Sequence, residues 1–95
     1  MSFVLTFTPR GMTPALYDQI IQKLENAHAG HPKGRLYHVC FQSKDGLAVT
    51  DVWDSQENFD AFGEILMPIL HSLGIDPGIP AKSEVYNIKG EMELA

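Results

Sequence analysis

Two short runs, "YHVC" and "VTDVW", carry most of the chain's reactive side-chain types in alternating positions. His38 and Cys40 sit in the first, and Asp51 and Trp53 in the second. A neutral imidazole near neutral pH suits a general base, and a carboxylate beside it would orient the ring. The plainer reading is a buried His38 hydrogen-bonded to Asp51 for structural reasons, since no nucleophile or metal partner accompanies the pair. Cys40 reads by default as a small buried hydrophobe. A reactive thiolate needs an electropositive, open site, and a net charge of −5 opposes one. His28 and His31 have a spacing that resembles a metal pair. Gly30 is expected to end their helix, however, so they share no helical face, and a carbonyl-capping histidine is the stronger reading. One cysteine permits no internal disulfide and no multi-cysteine site. No metal is expected.

Whether these groups meet depends on the strands that hold them. "RLYHVCFQSKDGLAVTDVWD" reads as two strand-like runs around Asp45-Gly46, a dipeptide that suits a tight hairpin. A two-residue Asp45-Gly46 loop places Lys44 opposite Leu47, Cys40 opposite Asp51 and His38 opposite Trp53. Side chains alternate, so His38, Cys40, Val49, Asp51 and Trp53 share one face. Tyr37, Val39, Phe41, Ala48, Thr50 and Val52 share the other. A four-residue loop shifts the partners and keeps these sets, whereas a three-residue loop breaks them.

The flanking elements follow from local chemistry. "SFVLTFT" is β-branched and aromatic and stops at Pro9 and Gly11, which reads as a strand. Thr13 caps a first helix with Pro14 at its first position, and Tyr17, Ile20, Ile21 and Leu24 form its apolar stripe. Asp54 or Ser55 caps a second helix, with Glu57 placed to complete a capping box and Gly74 to end it. Its stripe is Phe59, Phe62, Leu66, Ile69, Leu70 and Leu73. Pro68 inside that helix costs roughly 3 kcal/mol through a lost hydrogen bond and a clash, so the helix is expected to kink or split there. The Pro- and Gly-rich "IDPGIPAKS" reads as a connection, and residues 84–88 as the last strand. The tail after it has weak signals.

The resulting order, β-α-β-β-α-β, is the ferredoxin-like α+β arrangement: a four-stranded antiparallel sheet with two helices on one face. Ninety-five residues make one domain, 1–95. The seven basic residues are scattered singly, which disfavours nucleic acid and anionic membrane surfaces as partners. The apolar run of residues 3–7 is too short for a signal-peptide core and no run approaches a membrane span, so a soluble cytoplasmic protein is expected. Two largely apolar strand faces and only two helices imply a further partner for the sheet, most simply a second copy of the chain.

The segment "VWDSQENFDAF" after a strand hairpin resembles the dimeric α+β barrel superfamily, within it the antibiotic-biosynthesis monooxygenase and haem-degrading monooxygenase group. The shared pattern is an aromatic ending the third strand, then Asp-Ser, acidic residues and Phe on the helix. The resemblance implies a homodimer whose sheets face each other and a pocket between sheet and helices in each protomer, lined by Trp53. A histidine common in that helix is replaced here by Phe62 or Gly63, and the first strand lacks the asparagine of haem-degrading members. Haem degradation is therefore not expected.

On these grounds His38 and Asp51 are the candidate catalytic residues. Trp53, Phe62, Tyr17, Phe59 and Cys40 are the candidate pocket lining, although each aromatic would also pack an ordinary core. Two functions stay open. One is a monooxygenase-like enzyme with no bound metal, flavin or other cofactor, acting on a small aromatic or enolisable compound. The other is a non-catalytic domain that binds a small organic molecule or serves as a scaffold.

Overall fold

The computed structural model describes residues 2–85. Its elements run β1 (Phe3–Phe7), α1 (Pro14–Asn26), β2 (Arg35–Ser43), β3 (Gly46–Trp53), α2 (Gln56–Ser72) and β4 (Ala81–Glu84). The strands form one antiparallel sheet in the order β2-β3-β1-β4, so the ferredoxin-like expectation holds. No helix among the described residues is long and apolar enough to cross a membrane.

Both helices begin as their caps dictate. Thr13 Oγ1 accepts from the Leu16 amide at 3.2 Å, and Ser55 Oγ accepts from the Asn58 amide at 3.2 Å. With Ser55 as the cap, Glu57 falls one position short of closing a capping box, and Asn58 instead donates to Asp54 Oδ1 at 2.9 Å. That bond is the main reason the Asp54 carboxyl lies below the ordinary carboxylate range. At the other end of α1 the expected stop moves. His28, with φ 59°, takes the left-handed position, ahead of Gly30. Ala29 N–H then donates to Leu24 O at 2.7 Å and His28 N–H to Glu25 O at 3.0 Å, which closes a Schellman motif. Gly74 (φ 70°) ends α2 in the same way, with Ile75 N–H on Leu70 O at 3.0 Å. In both motifs the flanking pair, Leu24 with Ala29 and Leu70 with Ile75, is buried in the core.

Helix α2 runs unbroken through Pro68, so it does not split. Pro68 and Glu64 both lie on its exposed side, which leaves the freed Glu64 carbonyl near water. The core lies between the helices and one sheet face, built from Phe3, Leu5, Ile20, Leu24, Trp53, Phe62 and Leu70. The opposite face carries Val4, Thr6, Tyr37, Val39, Phe41 and Thr50, and Tyr37 and Phe41 stay exposed. The last strand begins earlier than the sequence suggests, at Ala81, because these exposed residues pair with β1 from Thr6 to Phe3. Tertiary pairing outweighs their weak β-propensity. The remainder of the expected strand, from residue 86 on, lies outside the described residues.

The hairpin register corrects the sequence expectation. Ser43 pairs with Gly46, so Lys44 and Asp45 form the loop and Gly46 alone takes a positive φ, 117°. Ser43 Oγ donates to Gly46 O at 2.6 Å and accepts from Asp45 N–H at 3.2 Å, which fixes this turn. The pairs become His38 with Asp51 and Cys40 with Val49. The shift is two residues, an even number, so every side chain keeps its expected face. A bulge between Arg35 and Tyr37 then sets Arg35 opposite Trp53.

Candidate functional site

The helix-facing side of the β2–β3 ladder presents His38, Asp51 and Arg35 toward the stripe of α1. Asp51 is buried, and its Oδ1 lies 2.5 Å from His38 Nδ1. His38 Nε2 lies 2.6 Å from the Tyr17 hydroxyl, which the first turn of α1 delivers from above the sheet. With Asp51 ionised and the imidazole neutral, the carboxylate accepts from Nδ1–H, which leaves Nε2 to accept from the Tyr17 O–H. The three groups thus form one chain, Tyr17 to His38 to Asp51, that joins a helix to two strands. Burial raises the Tyr17 phenol above its ordinary range, Cys40 adds to the rise and the Arg35 charge opposes it. The phenol therefore stays protonated and able to donate.

The chain ends at a cavity of about 610 Å³ between sheet and helices, within the usual span of small-molecule sites, roughly 300–1,000 Å³. Phe7, Ile20, Leu24, Phe59, Phe62 and Leu70 give it apolar walls. Its polar side chains are Tyr17, Arg35, His38 and Asp51 from α1 and the sheet, with Asp60 and Glu64 from α2. Pro77, Gly78 and Pro80 of the α2–β4 connection lie against it. Reciprocal backbone bonds between Arg10 and Asp76, at 2.8 and 3.3 Å, hold that connection to the β1–α1 loop.

Five of the seven candidate residues come together on this cavity: His38, Asp51, Tyr17, Phe59 and Phe62. Two do not. Trp53 shares the face but is 0 % exposed and lies behind the wall, with Phe59 and Phe62 ring centroids at 5.5 and 5.4 Å. The start of α2 closes over the end of β3, where Asp54 N–H donates to Gly34 O at 2.9 Å, and this seals the indole away. Its Nε1 is buried without a protein hydrogen-bond partner. Cys40 lies on the same face, off the cavity, and burial followed by the Asp18 charge raises its thiol above the ordinary value. That environment suits a packing thiol and not a nucleophile. His28 and His31 are exposed on the α1–β2 loop, and the described residues hold no group of three or more metal-ligating side chains.

Sequence reasoning missed two features. One is the hydroxyl of Tyr17 as the third member of the chain, since Tyr17 was expected only as an aromatic wall. The other is Arg35, whose face depends on a bulge that no turn residue announces.

A four-stranded sheet in this order with two helices on one face defines the fold class. The fold is that of the antibiotic-biosynthesis-monooxygenase-like proteins. The chain superposes on a candidate antibiotic biosynthesis monooxygenase from Chloroflexus aurantiacus with TM-score 0.63 and 21 % identity, over 92 % of this chain and 95 % of that one. It is similar to SnoaB, a cofactor-independent oxygenase from Streptomyces nogalater, with TM-score 0.57 and 18 % identity over 90 % and 92 % of the two chains. A further candidate antibiotic biosynthesis monooxygenase, from Caulobacter crescentus, gives TM-score 0.57 and 16 % identity over 90 % and 89 %. The sequence matches no family model and no curated protein.

Proposed function

We propose that this protein is a small cofactor-independent monooxygenase-like enzyme acting on a planar aromatic or enolisable compound bound in the cavity. The observation that carries the reading is the hydrogen-bonded chain Tyr17–His38–Asp51 at a cavity whose walls are largely apolar. His38, backed by Asp51, is the base, and Tyr17 relays the proton from the ligand to Nε2. The apolar walls favour a planar ring system and exclude water around the carbanion or enolate that proton loss creates. That anion supplies the electron that dioxygen requires. One-electron transfer gives a substrate radical and superoxide, their combination gives a hydroperoxide, and loss of water leaves a carbonyl. A CH₂ group and O₂ thus become C=O and H₂O, with no outside reductant. SnoaB, of like fold and itself a cofactor-independent oxygenase, is consistent with such chemistry.

Oxygen uptake with a panel of hydroxyaromatic compounds, run beside thermal-shift screening, tests the proposal. Uptake that His38→Asn abolishes is expected. Thermal shifts without uptake would overturn the enzyme and favour a binding domain with the same cavity.

The protein is further proposed to act as a cytoplasmic single-domain homodimer joined through the outer sheet face. Tyr37 at 45 % and Phe41 at 41 % exposure, flanked by Val4 and Val39, leave that face apolar for a second copy to cover. Sedimentation at micromolar concentration is expected to give twice the chain mass, and a monomer would overturn it.

A further inference from the structure

Arg35 would point away from the cavity if β2 were regular. Tyr37, Val39 and Phe41 occupy the outer face, and uninterrupted alternation would put residue 35 beside them. The bulge inserts Leu36 as an extra residue, Arg35 pairs with Trp53, and its side chain joins the cavity wall. Bulges that re-aim a side chain gather near active sites. The local structure holds the result in place. Arg35 Nη2 donates to Gly30 O at 3.1 Å, and the guanidinium carbon lies 5.8 Å from the Phe62 ring centroid. A guanidinium offers five N–H donors in a planar fork, so one bond to a carbonyl orients it without exhausting it.

We propose that Arg35 selects the ligand by its charge: the re-aimed guanidinium binds a ligand oxygen that carries or develops negative charge. The site then takes compounds whose acidic proton, removed at Tyr17, leaves an enolate or phenolate facing Arg35. This deepens the functional reading above and rests on its claim that the cavity binds a ligand. Charge supports it from two sides. The Arg35 charge reaches Tyr17, where it opposes the rise in the phenol's pKa. Among the described residues that line the cavity, the carboxylates Asp51, Asp60 and Glu64 repel an anion and Arg35 alone is a fixed cation, so Arg35 sets which end of an asymmetric ligand enters.

The test uses 4-nitro-1-naphthol, which ionises near neutral pH, and 1-nitronaphthalene, which lacks the hydroxyl, titrated against the full chain. The naphthol is expected to bind more tightly, and more so as pH rises through its own ionisation. Affinity that falls with ionisation would overturn the proposal with no variant needed. Arg35→Gln should weaken the naphthol about tenfold to a hundredfold, the size of a charge-assisted hydrogen bond, and leave 1-nitronaphthalene unchanged. Arg35→Lys should keep the charge and part of the preference. Equal preference in wild type and a folded Arg35→Gln would overturn the role of Arg35 and leave the cavity reading standing. Binding of neither compound to the wild type would overturn both.

Discussion

Replacing His38 with Asn removes the middle of the Tyr17–His38–Asp51 chain and leaves both ends stranded. Asp51 is 6 % exposed, so its carboxylate loses a hydrogen bond at 2.5 Å with little water to take its place. Leaving a buried carboxylate without its hydrogen-bond donor costs about 1–3 kcal/mol, and more for a charged group than for a neutral one. The His38 side chain, however, is 22 % exposed, so water admitted at its edge discounts that figure. Tyr17 loses an acceptor as well, at about 1 kcal/mol for an ordinary hydrogen bond. The expected loss is therefore about 2–4 kcal/mol, a fall in Tm on the order of 10–20 °C for a domain of this size. Chemical denaturation at fixed protein concentration measures it, since the proposed dimer would make Tm concentration-dependent. Adding Asp51→Asn removes the stranded charge, so the double variant should be more stable than the two single losses predict. A His38→Asn loss below about 0.5 kcal/mol, or a cycle with no coupling, would refute the view that the chain is one buried network.

Three further outcomes follow from local geometry. Gly34 (φ 87°) sits so close to α2 that a Cβ would lie 2.5 Å from Asn58 Nδ2 and 2.6 Å from Asn58 Cβ. Gly34→Ala should thus cost about 2–4 kcal/mol by denaturant unfolding, with a loss under about 1 kcal/mol contradicting the contact. His28→Gly should stabilise the fold by about 0.5–1 kcal/mol, because the histidine holds a left-handed φ of 59° that glycine adopts freely. Tyr17 is held as a phenol above its ordinary value of 10.0, while the unfolded chain ionises there. Its contribution is complete below about pH 10 and declines as pH rises toward the folded value, so Tyr17→Phe should flatten the alkaline fall in stability measured from pH 9 to 11.

The architecture was legible because its signals are local and redundant. Thr13-Pro14, Ser55 and Gly74 punctuate the helices, and the apolar stripe of each helix gives its inner face. The faces of β2 and β3 survived a wrong turn assignment for a reason of parity: a shift of two residues preserves alternation. What failed depended on long-range packing. Alternation assigns Trp53 to a face but says nothing of depth, and the indole is sealed because α2 starts directly over it. Residues 81–84 carry no strand signal of their own and become β4 by pairing with β1. The turn to αL fell on His28 and not Gly30 because the Leu24–Ala29 contact sets the helix end, whereas glycine in sequence only marks where a stop is inexpensive. Leu36 carries no mark of a bulge, and so Arg35 stayed hidden.

The bulge in β2 also bears on how the protein survives at high concentration. Among the described residues β2 is an edge strand, nine residues long, with Leu36, Tyr37 and Phe41 exposed along it. A straight edge of that length and composition is a template on which a foreign strand can dock and aggregation can propagate. The extra residue at Leu36 twists the strand and breaks the even spacing of outward amide and carbonyl groups that an incoming strand would need to match. An insertion that turns a cation inward is thereby expected also to make the start of this edge a poorer template for an incoming strand. A variant chosen to regularise β2 would form a longer ladder with β3, and its solutions would be expected to turn cloudy sooner.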